Sequence, residues 1–221
     1  MSTIELSNSC FVEVFQLPIQ LREKSKKDFE EMFDLCPDEK HRVVIKDFEL
    51  EVKRYSKSYG KTPSIVKLVN TGQVNNRKYV NSYMFSGIND ANNNEDLPPV
   101  FVSYLQYVNK AFPDCDFNQI SVNWYKDGND YIAFHKDCEI GMKGNKKICI
   151  LTFNESDDEE NLRQLTLKPM QIGDDRQFNI PLTHGSMVML NSDLQKYYKH
   201  GISKSNATTK RISISFRQFE D

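Results

Sequence analysis

The sequence predicts a mainly β protein with flanking helices, an α+β chain whose strands form a sandwich or rolled sheet. Three observations carry that reading. Seven short strand-like segments crowd the part after Phe117, turns rich in Gly, Asp and Asn separate them, and the helical spacings lie before them. The 221 residues are 38% hydrophobic, 11% aromatic and 27% charged, enough for a packed core. A chain of this length buries roughly 70% of its unfolded surface, so no disulfide scaffold is needed.

Taken in order, CFVEVF alternates as a short strand does, and Leu21 to Cys36 follows with helical spacing before Pro37 stops it. Phe29, Met32, Phe33 and Cys36 would share one face. RVVIKDFELEVKRY, from Arg42 to Tyr55, has strand propensity, broken by Gly60 and Pro63. NNRKYVNSYMFSG then sets Tyr79, Tyr83 and Phe85 beside the charges of Arg77 and Lys78. INDANNNED is a polar loop, and Pro98 and Pro99 sit where a helix begins. Phe101, Tyr104, Leu105, Val108 and Phe112 would form its apolar stripe, ended by Pro113. The strand segments are QISVNWY, DYIAFH, KKICILTF, RQLTLKP, RQFNIPL, SMVMLN and RISISF, with the acidic ESDDEEN as a solvated loop among them.

Charge and cysteine usage bound the function. With 31 acidic and 29 basic residues the formal charge is −2, so no global positive field holds a polyanion, although a local patch of Lys and Arg suffices for that. The 5 cysteines, Cys10, Cys36, Cys115, Cys138 and Cys149, are scattered and form no CxxC pair, which fits a reducing compartment. The start MSTIELSNSC lacks a basic flank and an apolar run, and no segment reaches the length of a membrane span. An intracellular protein, cytoplasmic or nuclear, without membrane association and monomeric, is expected.

The strongest chemical signal is FHKDCE. On a strand His135, Asp137 and Glu139 leave from one face, and imidazole plus carboxylate suits a redox-active first-row metal such as iron(II). A third ligand would come from Glu, Asp, Cys or another His. Among the histidines, His41 reads as a surface residue and His184 as a turn residue. His200 follows aromatics and precedes a glycine that relieves crowding. RISISFR puts Arg211, Ser213, Ser215 and Arg217 on one face of a strand. Two neighbouring buried arginines need an anion, and a small dicarboxylate fits, because guanidinium pairs carboxylate through two hydrogen bonds. The alternative is an edge strand with solvated arginines.

Together, NWYKDGNDYIAFHKDCE, THGSMVMLN, YYKHGI and RISISFR, with RKYVNSYMFSG and LPP upstream, resemble the AlkB family of iron(II)- and 2-oxoglutarate-dependent dioxygenases. The resemblance runs from Arg77 to Phe219. It implies a double-stranded β-helix, or jelly roll, with residues 76–221 as the dioxygenase domain including a nucleotide-recognition region, and residues 1–75 as an N-terminal extension packed on that core. It implies iron(II) held by His135, Asp137 and His200, with 2-oxoglutarate and O2 as cosubstrates. Arg211 would pair with the distal carboxylate of 2-oxoglutarate, Arg217 would hold its other end, and Asn123 and Tyr125 would hydrogen-bond it. Arg77, Tyr83, Phe85 and Glu139 would contact the substrate base. The implied reaction removes N-alkyl groups from bases in DNA or RNA as an aldehyde, with succinate as coproduct.

The sequence also departs from the family. Ser213 stands where Asn is common, Ser215 replaces Thr, Trp124 occupies an often basic place, and an acidic stretch precedes Arg163. Two other functions follow from these departures: an oxygenase acting on a protein side chain or small metabolite, and a binding module without catalysis.

Overall fold

The computed structural model describes residues 1–7, 9–45, 48–60, 97–137, 139, 142–143 and 145–219. Strands β1 (Ser2–Glu5) and β2 (Phe11–Gln16) lead into helix α1 (Ile19–Asp34). The hairpin of β3 (Arg42–Ile45) and β4 (Phe48–Glu51) precedes β5 (Tyr55–Gly60). Helix α2 (Pro99–Ala111) is followed by β6 (Gln119–Tyr125), β7 (Ile132–His135), β8 (Ile148–Asn154), β9 (Gln164–Pro169), β10 (Phe178–Pro181) and β11 (Ser186–Leu190). A helical turn, α3 (Leu194–Tyr197), leads into β12 (Tyr198–Ile202), and β13 (Arg211–Arg217) comes last. All seven strand segments expected after Phe117 are present. The stretch from Arg42 to Tyr55, expected to have strand propensity, forms a hairpin and the start of β5.

The strands form a seven-stranded sheet, in the order β1-β2-β11-β8-β13-β6-β5, and a four-stranded sheet, β10-β9-β12-β7. This is the expected α+β architecture: two antiparallel sheets face each other as in a double-stranded β-helix. The described part of residues 1–75 supplies three strands of the larger sheet. Here β2 lies against β11 with Val14 opposite Val188, and β5 lies against β6 with Ser58 opposite Ser121.

Alternation along β13 explains the layering. Ile212, Ile214 and Phe216 project to one side and join Phe29 and Met32 of α1 and Phe101, Tyr104 and Val108 of α2 in a helix-facing core. The intervening Arg211, Ser213, Ser215 and Arg217 project into the space between the sheets. Because β13 is hydrogen-bonded to both β8 and β6, the edge-strand alternative for its arginines falls away. A second apolar cluster, including Leu165, Leu167, Val188 and Tyr198, packs the sandwich interior beside the polar site.

Trp124 belongs to the helix-facing side. Its indole N–H donates to the Met32 carbonyl at 2.8 Å, satisfying one of the carbonyls that a helix end leaves without a partner. No described helix is long and apolar enough to cross a membrane.

Candidate metal and cosubstrate site

Strands β7 and β12 are antiparallel neighbours, and His135 and His200 are direct register partners on them. Both imidazoles project between the sheets, with ring centroids 4.4 Å apart. Gly201 makes this approach possible: a Cβ there would lie 2.9 Å from the Ile132 carbonyl oxygen and 3.1 Å from the Phe134 nitrogen. The crowding that the glycine relieves is thus between two backbones.

Asp137 follows just beyond β7, where its main-chain N–H donates to Gln195 Oε1 at 2.9 Å. Its Oδ1 lies 3.2 Å from His135 Nε2 and 3.7 Å from His200 Nε2. Its Oδ2 accepts from Arg217 Nη2 at 3.0 Å, so only one carboxylate oxygen turns toward the histidines. One ligand atom from each of His135, Asp137 and His200 lies within 4.8 Å of the others.

The protonation pattern suits a cation. The Ala133 carbonyl 2.9 Å from His135 Nδ1 can only accept, so in the neutral tautomer Nδ1 carries the proton and the lone pair falls at Nε2. Burial and the neighbouring His135 lower the His200 pKa to about 4, leaving a neutral imidazole at physiological pH. Burial pushes the Asp137 carboxyl up, but its contacts with His135 and His200 and the charge of Arg54 outweigh it and hold the carboxyl below its ordinary range. Two imidazole nitrogens and one carboxylate oxygen, buried on two rigid strands, fit iron(II) with positions left open.

Positive charge dominates the wall beside this triad. Arg211 donates through Nη2 to Thr152 Oγ1 at 3.1 Å and lies 4.8 Å from the Tyr125 ring centre. Its Nε and Nη1 are buried without a hydrogen-bond partner among the described residues. Burial, reinforced by the charge of Arg163, lowers the Arg211 pKa to about 10, and burial with the charge of Arg54 lowers that of Arg217 to about 9. Both remain cations at neutral pH. Arg54, whose role the sequence did not reveal, is 8% exposed and donates through Nε to Asn123 Oδ1 at 2.6 Å. Arg54 and Arg217 both act on the Asp137 carboxylate, and Arg211 keeps two buried N–H groups without partners, an excess of positive charge that a dianionic ligand would correct.

Asn123, Tyr125, Ser213, Ser215 and Arg217 line a cleft together with the triad. The expected metal and cosubstrate residues thus come together, with Arg211 behind Tyr125. Glu139 is half-buried beyond the end of β7. Arg77, Tyr83 and Phe85 lie outside the described residues.

Other expectations resolve differently. His184 lies on the far side of the larger sheet, with Nε2 2.7 Å from Ser25 Oγ and Nδ1 against the main chain of Asn154. Arg163 does not face solvent. Its Nη2 donates to the carbonyls of Asp130 at 2.9 Å and Ser203 at 2.6 Å, tying two loops together. Arg54, Thr152 and Gln195 had no distinguishing pattern in the sequence. Arg54 in particular sits beside Lys53 in a stretch that reads as basic surface.

Comparison with known proteins follows the same lines. The sequence profile described as "2OG-Fe(II) oxygenase superfamily" matches residues 37–217. The protein named DNA oxidative demethylase ALKBH2 from Arabidopsis thaliana is 28% identical over 141 residues, covering 56% of this chain and 44% of the relative. Its namesake from Homo sapiens is 25% identical over 108 residues, covering 46% and 40%. The chain therefore spans less than half the length of these curated relatives. Among solved structures, a prolyl-4-hydroxylase from Pseudomonas putida shares the fold with a TM-score of 0.53 at 12% identity, over 95% of this chain and 93% of that one. A profile match across most of the sequence, joined to the same sheet architecture and a metal triad built on two neighbouring strands of one sheet, has one reading: the chain belongs to the 2OG-Fe(II) oxygenase superfamily.

Proposed function

We propose that the protein is an AlkB-type oxidative demethylase of N-alkylated bases in DNA or RNA, dependent on iron(II) and 2-oxoglutarate. The observation that carries the oxygenase reading is the pairing of a three-ligand cluster with a buried excess of guanidinium charge. The nucleobase reading is supported by the relatives named as DNA oxidative demethylases and by the RKYVNSYMFSG segment.

In this mechanism His135, Asp137 and His200 hold iron(II), and Arg217 keeps Asp137 to one coordinating oxygen. The free N–H groups of Arg211 take the distal carboxylate of 2-oxoglutarate, with Tyr125 stacked beneath the guanidinium and Asn123 fixed by Arg54. Iron(II) with both cosubstrates bound would supply C–H hydroxylation: one oxygen atom of O2 would end in the substrate hydroxyl group and the other in succinate, with CO2 lost from 2-oxoglutarate. An N-methyl group so hydroxylated departs as formaldehyde and leaves an N–H on the base. The larger sheet and the apolar residues between the sheets exclude water from the closed end of the cleft. Glu139, Arg77, Tyr83 and Phe85 contact the base, which in a duplex must be flipped out at a cost of a few kcal/mol.

The test is formaldehyde release from oligonucleotides carrying N1-methyladenine or N3-methylcytosine, with iron(II) and 2-oxoglutarate, in DNA and RNA. Release that disappears in His135→Ala is the expected result. Succinate production that no methylated oligonucleotide stimulates would move the substrate to a protein side chain or small metabolite. Absence of metal-dependent cosubstrate turnover would leave only a binding module.

A further inference from the structure

We propose that the outer face of the four-stranded sheet carries the phosphate backbone of a single-stranded nucleic acid past the mouth of the cleft. This deepens the nucleobase reading and rests on it. Lys199 of β12 is the direct register partner of Lys168 of β9. On the other side of β12, the pairing of His200 with His135 brings Lys136 next to Lys199. Leu167, His200 and His135 point between the sheets, so Lys168, Lys199 and Lys136 point outward in one row across three strands.

Like charges directly opposite on neighbouring strands are destabilising unless something answers them. No ion pair involves Lys136, Lys168 or Lys199 among the described residues. Asp193 is 2.6 Å from Lys196 and Asp174 is 2.6 Å from Arg176, so these two carboxylates have cations of their own. Phe134 also shapes this face, with Lys168 Nζ 4.1 Å from its ring centre, so that the ammonium group is held by an aromatic surface.

The row also has the right place. It lies within a residue of the sheet end, where β9 closes at Pro169, β12 opens at Tyr198 and β7 gives way to Asp137 and Glu139. A strand lying on it passes the entrance through which a base reaches the triad. The basic residues of α1 serve less well: Lys26 pairs with Glu23, and Lys24 with Asp28, along their own helix.

The experiment is fluorescence anisotropy with iron-free protein and labelled single-stranded DNA and RNA containing N1-methyladenine, titrated between about 50 and about 200 mM salt. Each phosphate contact contributes about 0.7 to the slope of log K against log salt, so K136A/K168A/K199A should flatten it by about 2 and weaken binding roughly tenfold or more at low salt. Each single change should flatten it by about 0.7, and the corresponding triple arginine variant should keep the wild-type slope. Circular dichroism melts check that each variant folds. Coincident slopes for wild type and the triple alanine variant would overturn the lysine row alone. Failure of the wild type to bind any oligonucleotide would overturn both the row and the nucleobase reading.

Discussion

Arg211→Met separates stability from ligand binding in opposite directions. In the ligand-free protein the change removes one hydrogen bond to Thr152 and a contact with Tyr125, each worth about 1 kcal/mol. It also removes a buried charge whose Nε and Nη1 have no partner and whose pKa burial has lowered to about 10. These terms oppose one another, so the melting free energy should change by no more than about 1 kcal/mol in either direction. The proposed carboxylate contact is different, because two charge-assisted hydrogen bonds at about 1.5 to 3 kcal/mol each have no substitute on a thioether. At 1.4 kcal/mol per factor of ten, 2-oxoglutarate affinity should fall by about 100-fold or more. Anaerobic titration of 2-oxoglutarate into the iron(II) protein measures the second quantity, and urea unfolding without ligand the first. Affinity within about threefold of wild type would refute the anchoring role. A loss of more than about 3 kcal/mol in the ligand-free protein would show instead that the guanidinium is a structural strut.

Three further outcomes are expected. Gly201→Ala should part β7 from β12, because its methyl would press on the Ile132 carbonyl at 2.9 Å; a stability loss of about 1 to 3 kcal/mol and weaker metal binding by calorimetry are the signs. Arg54→Met should release Asn123 and raise the 2-oxoglutarate requirement roughly tenfold, with Arg54→Lys intermediate because it keeps the charge, and unchanged binding in both would remove Arg54 from the site. Trp124→Phe should cost about 1 to 3 kcal/mol in urea unfolding by leaving the buried Met32 carbonyl without its donor, while iron affinity, read by calorimetry, stays at the wild-type value.

The strands of the two sheets were legible because alternation imposes itself on residue types. RISISFR could be divided by eye into an apolar face and an arginine face, and the structure separates them into a helix-facing core and the cleft. FHKDCE was legible only in part: β7 ends at His135, and Asp137 reaches the site from just beyond the strand. His200 needed the family resemblance, since YYKHGI has no clean alternation and its strand character comes from pairing with β7 and β9. Arg54 was hidden because a buried arginine and a solvated one have the same neighbours in sequence. What distinguishes them is Asn123, 69 positions away. The departure at Trp124 meant less for substrate than its place in the motif suggested, because the side chain turns toward α1 and away from the cleft.

The position of the first strands has a consequence for folding and for any attempt to shorten the protein. Chain segments from before Lys61 flank the catalytic sheet on both borders, β1 and β2 beyond β11 and β5 beyond β6. Removing them would strip two borders at once, leaving rows of amide and carbonyl groups free to recruit other copies into aggregates. Closing the sheet also means joining residues as remote in sequence as Val14 and Val188, which slows assembly.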